Sequence, residues 1–258
     1  MEGGRDGTKR VEPGIGRRLP SHRAGNHTAR MTYAPKKKTK SVIAKKAEFK
    51  PSKALAATTF LLSAPTPQHL PPDHGAEIAF AGRSNAGKSS ALNALTGQGA
   101  LARVSKTPGR TQQLVVFQID AERRLIDLPG YGFAKAPGDV QEVWRAALDQ
   151  YFHERVSLSG LLLAMDVRHP LTEYDQIMLA FARSRLLPVH ILLTKCDKLG
   201  RGAAMDVLHA VRKGLSDHRA AASVQLFSST ERTGLDVATK WVEQRLGIVP
   251  PKSSIEAM

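Results

Sequence analysis

Gly82-Arg-Ser-Asn-Ala-Gly-Lys-Ser89 is the stretch from which the rest of this 258-residue chain can be read. It fits G-x-x-x-x-G-K-[ST] at every fixed position, with an apolar strand pattern at 77–81 before it and a helix-forming segment at 87–95 after it. Glycines let backbone amides close around phosphate oxygens, and the N-terminal end of the following helix adds a positive dipole. Gly82, Arg83, Ser84, Asn85, Ala86, Gly87, Lys88 and Ser89 are therefore candidate nucleotide contacts. Lys88 is placed to bridge β- and γ-phosphates, and the Ser89 hydroxyl to ligate Mg2+. A glycine-rich turn with an exposed lysine is the bland alternative, and the flanking strand and helix patterns argue against it.

Outward from that loop, short β-rich runs alternate with amphipathic segments. Strand patterns lie at 114–119, 124–127, 160–166, 189–194 and 224–228, and helical ones at 139–156, 173–183, 203–216 and 235–246. Near-continuous apolar runs such as Gly160-Leu-Leu-Leu-Ala-Met165 suit strands buried on both faces of a parallel sheet. In 139–156, Val140, Val143, Trp144, Ala147, Leu148, Tyr151 and Phe152 follow helical spacing and read as packing. The pattern predicts one α/β domain of three layers, of the P-loop NTPase type, with a mostly parallel central sheet flanked by helices.

Four further segments follow the loop in an informative order. Asp127-Leu-Pro-Gly130 ends a strand 39 positions after Lys88, where an aspartate can reach Mg2+ through water and a glycine amide can sense a γ-phosphate. Thr194-Lys-Cys-Asp197 ends another strand and fits [NT]-K-x-D. Asp197 can accept both N1–H and N2–H of guanine, a donor pair that adenine lacks, while the Lys195 stem covers the base. Ser228-Ser229-Thr230, after the last strand, could offer backbone groups to the same base. Between the first helix and the next strand, Ser105-Lys-Thr-Pro-Gly-Arg-Thr111 could carry a hydroxyl to Mg2+ and close over the γ-phosphate. Thr111 is the chosen ligand and Thr107 its competitor. Any one of these segments alone reads as an ordinary polar turn.

Composition sets the context. A hydrophobic content of 41% furnishes a full core, and the single cysteine, Cys196, excludes an intramolecular disulfide or a thiolate zinc site. No apolar run reaches the ~18–20 residues that span a bilayer, so the chain reads as a soluble protein of a reducing compartment. The net charge of +15 is uneven: residues 1–58 hold 15 Lys or Arg against 4 Asp or Glu. Residues 1–56 read as a basic, disordered extension, 57–248 as the folded domain and 249–258 as a short tail. Met31 also opens a shorter chain. The extension is either a solvated tail or an arm drawn to nucleic-acid phosphates. An Arg-rich, acid-poor start also suits a transit peptide, although serine is sparse.

With five segments in order, the sequence resembles the EngB (YihA/YsxC) family of translation-factor-related GTPases over about residues 57–247. The resemblance rests on Gly82 to Ser89, on Thr107-Pro-Gly-Arg-Thr-Gln112, on Asp127-Leu-Pro-Gly-Tyr-Gly132 and on Asp166-Val-Arg-His-Pro170. It implies a small monomeric, cytoplasmic GTPase of bacterial or organellar type, associated with assembly of the large ribosomal subunit and needed for normal division and septation. Carried over by motif position, the nucleotide contacts also include Gly109, Arg110, Thr111, Gln112, Gln113, Asp127, Leu128, Pro129, Gly130, Thr194, Lys195, Cys196, Asp197, Ser228, Ser229 and Thr230. Ser89 and Thr111 hold the metal, and Lys88, Thr111 and Gly130 serve the reaction.

Two positions qualify the chemistry. Many switch GTPases carry a water-orienting glutamine directly after D-x-x-G, whereas this chain has Tyr131, so unaided hydrolysis should be slow. Asn85 resembles the asparagine of potassium-activated GTPases, and K+ is a candidate second cation; an asparagine that suits a tight turn is the competing account. His169 reads as a satisfied loop histidine, not a general base. Two other functions stay open on sequence alone. An RNA-binding assembly factor with a structural nucleotide would explain the basic arm, and an ATP-dependent kinase would share the phosphate loop but not Thr194-Lys-Cys-Asp197.

Overall fold

The computed structural model describes residues 49–102, 113–131, 138–215 and 222–248. Seven strands, β1 (Thr59–Ala64), β2 (Ala76–Gly82), β3 (Leu114–Gln118), β4 (Arg123–Asp127), β5 (Leu158–Asp166), β6 (Val189–Thr194) and β7 (Ala222–Leu226), form one sheet in the order β1-β3-β4-β2-β5-β6-β7. The pairs β2–β4, β2–β5, β5–β6 and β6–β7 are parallel; β1–β3 and β3–β4 are antiparallel. The helices are α1 (Lys53–Ala56), α2 (Lys88–Thr96), α3 (Gly138–Glu154), α4 (Glu173–Ser184), α5 (Arg201–Gly214) and α6 (Leu235–Arg245).

The period-2 alternation of the central strands sorts their side chains into two cores. Ile78 and Phe80 of β2, Leu162 of β5 and Leu192 of β6 pack with Leu55 of α1, Leu92 and Leu95 of α2 and Val242 of α6. Ala79, Leu161, Leu163, Ile191 and Leu193 face the other way, onto Leu148, Tyr151 and Phe152 of α3, Met178 and Leu179 of α4, and Leu208 and Val211 of α5. The result is the expected three-layer α/β architecture, with the central strands buried on both faces. The side chains of Val140, Val143 and Trp144 lie outside the described residues.

The N-terminal boundary is earlier than the sequence pattern placed it. Residues 49–56 fall in the expected extension, yet Leu55 is fully buried and Phe49 packs against the same core. Ser52 caps α1 by accepting the Leu55 amide at 3.2 Å. β1 is absent from the sequence reading for a physical reason. Its ladder to β3 shifts register between Phe60 and Leu62, and Phe60 and Leu61 stay exposed, so no alternation survives to be read. Such a bulge on an outer strand disturbs its free edge and discourages pairing with another chain.

Strand β2 lies between β4 and β5, so the connections leaving it diverge to opposite sides. A crevice outside the carboxyl ends of parallel strands is the expected ligand position where strand order reverses in this way. Register brings those ends level: Phe80 opposes Asp127, Gly82 opposes Ala164 and Asp166 opposes Thr194. At the far end of the sheet, Glu77 is fully buried between two guanidiniums. Arg155 Nε and Nη2 donate to its two oxygens at 3.0 and 2.6 Å, and Arg124 Nη1 donates at 3.3 Å.

Candidate nucleotide-binding site

The loop after β2 is shaped by its own backbone. A Cβ at Gly82 would lie 2.7 Å from the Ala164 carbonyl oxygen, so only glycine fits where β2 leaves the sheet beside β5. The Ser84 amide donates to the Tyr131 carbonyl at 2.8 Å, and the Ala86 amide closes a turn onto the Arg83 carbonyl at 2.9 Å. Asn85 adopts φ 64°, a left-handed conformation that asparagine tolerates better than most residues. Gly87, at φ 93°, caps the N-terminus of α2, placing Lys88 and Ser89 in its first turn. The helix start thus follows the loop directly, an arrangement suited to phosphate. The Lys88 ammonium is bonded to the Asp127 carboxylate, the two side chains being 11% and 12% exposed. A phosphate entering the loop competes with Asp127 for that ammonium.

The motif at the end of β6 is tied to this loop directly. The Thr194 hydroxyl lies against the Ala86 carbonyl and within 3.0 Å of the Met165 carbonyl, sharing one proton between them. Lys195, at φ 57°, donates from Nζ to the Asn85 carbonyl at 2.6 Å and pairs with Asp166 at 3.0 Å. Burial pushes the Asp166 carboxyl up, but bonds from Arg168 and then Lys195 hold it well below the usual carboxylate range. Asp197 sits in the short 3-10 turn Cys196–Lys198. Its Oδ1 accepts the Ser228 hydroxyl at 2.6 Å, and Lys198 lies 3.3 Å from Oδ2. Ser228 chiefly, with Lys198, lowers the Asp197 pKa, so the carboxylate is an ionised acceptor. Burial and the neighbouring Asp197 charge push the Cys196 thiol up, away from reactive thiolate.

Of the residues proposed from sequence, the structure brings together Gly82 to Ser89, Asp127 to Gly130, Thr194 to Asp197 and Ser228 at one edge of the sheet. Leu128 and Pro129 are buried, and the Leu128 amide extends the β2–β4 ladder to Phe80 at 2.9 Å. Ser229 is half-buried and Thr230 exposed. Gln113 is exposed just before β3; Gly109, Arg110, Thr111, Gln112 and the competitor Thr107 lie outside the described residues. His169 lines a cleft of about 270 Å3 beside Ser84, Asn85, Asp166 and Lys195, its amide donating to the Asp166 carbonyl at 2.9 Å.

Three contributions escape motif reading. Asp166 anchors Lys195, and the Ser228 side chain fixes Asp197, whereas sequence assigned only backbone groups to that turn. The third is the Tyr131–Asp175 pair, 44 residues apart in sequence. Its only sequence trace is Thr172-x-x-Asp175, a capping pattern at the start of α4.

Comparisons with known proteins place the chain in a family. A family model described as 50S ribosome-binding GTPase covers residues 77–195. GTP-binding protein EngB of Xylella fastidiosa (strain Temecula1) is 57% identical over 198 residues, 76% of this chain and 98% of its own length. The chain belongs to the EngB family of GTP-binding proteins. The EngB protein of Stenotrophomonas maltophilia (strain K279a) is 59% identical over 188 residues, 72% of this chain and 94% of its own. A solved EngB structure overlays with a TM-score of 0.55 at 21% identity, covering 67% of this chain and 100% of that one. Era, solved with MgGDPNP and 16S ribosomal RNA nucleotides, overlays at 0.52 and 23% identity, over 69% of this chain and 58% of Era. Both share the fold. As an EngB-family member the chain is a P-loop GTPase, and among its described residues no helix is long and apolar enough to cross a membrane.

Proposed function

We propose that this GTPase binds GTP with Mg2+, or GDP, at the carboxyl edge of its sheet, hydrolyses GTP and uses the change as a switch in assembly of the large ribosomal subunit. The observation that carries the reading is the bonding of Thr194 and Lys195 to carbonyls of the phosphate loop itself. Base-reading and phosphate-binding motifs therefore move as one unit. Asp197 accepts the two guanine donors, the Lys195 stem lies along the base, and loop amides with Lys88 take the phosphates. Water attacks the γ-phosphoryl, and Lys88 absorbs charge that develops between the β- and γ-phosphates. The Gly130 amide senses the γ-phosphate, and Thr111 closes over it from the loop before β3.

The donors present fit Mg2+. Among the described residues no three His, Cys, Asp or Glu side chains converge on a metal position, but Ser89 offers a hydroxyl and Asp127 a carboxylate near the loop. Hard oxygen donors with several phosphate and water ligands are what Mg2+ takes, and when bound it neutralises phosphate charge. Thr111 supplies the second hydroxyl of this proposal. Turnover without a partner is slow, because Tyr131 occupies the usual glutamine position and its hydroxyl is committed to Asp175. K+ near Asn85 would offset part of that deficit. Steady-state phosphate release should be several-fold faster in KCl than in matched NaCl; equal rates would remove potassium, since the turn alone accounts for Asn85.

The description of the matching family model and the basic stretch before residue 57 support the large subunit or its rRNA as partner. A monomeric, cytoplasmic protein whose loss disturbs septation completes the reading. One experiment tests its base, phosphate and partner elements together. Wild type should co-sediment with large subunits in GTP but not GDP. Asp197→Asn should transfer that requirement to XTP, whose C2 carbonyl matches an amide donor. Association that ignores nucleotide and falls steeply with salt would instead make the arm the binding module.

A further inference from the structure

Tyr131 follows Gly130 directly and joins three elements. Its carbonyl accepts the Ser84 amide at 2.8 Å, in a parallel bridge that pairs Arg83 with Tyr131. Its ring is 2% exposed and stacks on Tyr174, centroids 6.0 Å apart and planes at 22°. Its hydroxyl donates to Asp175 Oδ1 at 2.8 Å. Asp175 is equally buried, and its Oδ2 accepts the Thr172 amide at 2.9 Å and the Thr172 hydroxyl at 2.8 Å. The first turn of α4 thus fixes the carboxylate, and the carboxylate fixes the tyrosine. Burial, reinforced by the Asp175 charge, pushes the phenol pKa well above its ordinary value, so the hydroxyl stays a donor.

The residue held by this chain of contacts is Gly130. A Cβ there would lie 3.5 Å from Ser84 Cα, so Gly130 already rests against the phosphate loop. A γ-phosphate contact from its amide is sensitive to small displacement, because hydrogen bonds weaken steeply with distance and angle. GDP has no γ-phosphate and does not need that contact. We infer that Tyr131 and Asp175 are positioning residues for the triphosphate state, holding the Gly130 amide against the phosphate loop so that α4 takes part in telling GTP from GDP. This rests on the GTPase reading above. A tyrosine with only a core-packing role would affect both nucleotides alike.

The test separates these roles by an affinity ratio. Tyr131→Phe keeps the ring, its stack and its volume while removing one hydroxyl; Asp175→Asn keeps the carboxamide oxygen near Thr172 and removes the charge. Fluorescently labelled GDP and a labelled non-hydrolysable GTP analogue are titrated into full-length wild type and both variants. Affinity for the analogue should fall about five- to tenfold in Tyr131→Phe, with GDP affinity changing by less than about twofold. Asp175→Asn should move the ratio in the same direction, and it reads the same quantity should Tyr131→Phe fail to fold. Equal losses for the two nucleotides, or an unchanged ratio, would overturn the inference while leaving the functional reading intact. Wild type that bound neither nucleotide would overturn both.

Discussion

Replacing Lys88 with alanine should weaken GTP binding by at least about 100-fold, and GDP binding by less, while leaving the fold in place. The ammonium is seated in the phosphate loop and touches Asp127. Its loss removes charge-assisted bonds to two phosphates, each on the order of 1.5–3 kcal/mol. The sum is about 3–6 kcal/mol, or roughly two to four decades in affinity. Asp127 is then left beside the phosphates without its partner, which adds repulsion. Calorimetric titration with a non-hydrolysable GTP analogue measures the effect, and thermal melting of the free protein checks that structure is retained. Near-native affinity for the analogue would remove Lys88 from its assigned role and, with it, the phosphate-loop account of the site.

The second large effect lies at the opposite end of β2. Glu77→Ala should destabilise the domain by about 3–5 kcal/mol, since removing one member of a buried ionic group leaves uncompensated charge. Arg124 and Arg155 side chains are only 5% and 9% exposed, and both donate to Glu77. Asp73 lies 3.5 Å from Arg155 and can offset one of them only in part. For a domain of this size the loss corresponds to a fall in Tm of roughly 6–20 °C. A control separates charge from cavity. Replacing Glu77, Arg124 and Arg155 together by apolar residues of similar volume should cost less than Glu77→Ala alone. A single variant that melts within about 3 °C of wild type would show the cluster to be dispensable.

How much of this was legible in the sequence depends on the range of the interaction. The phosphate loop is a local pattern, because strand, turn and helix start are contiguous and each has its own residue signature. Asp197 stands out as a candidate because its motif follows a strand at the right place in the order. For Ser228 the sequence suggests backbone groups alone, whereas the structure adds a side-chain bond to Asp197. Nothing local marks that bond, since either hydroxyl of Ser228-Ser229 could have served. The Tyr131–Asp175 pair was invisible for the same reason; it depends on α4 starting opposite the end of β4. β1 was lost because the register shift at Leu61 removed its alternation, and α1 because four residues are too few for a helical period.

The order of strands in the sheet has a consequence for how the site comes into being. The central strand β2 and its loop are early in the chain, whereas Thr194, Asp197 and Ser228 come from the last third. During translation the Gly82–Ser89 loop leaves the ribosome well before the Asp197 carboxylate. On the function proposed above, guanine selectivity is acquired at the end of synthesis, and a nascent chain stalled before residue 189 lacks both β6 and its signature.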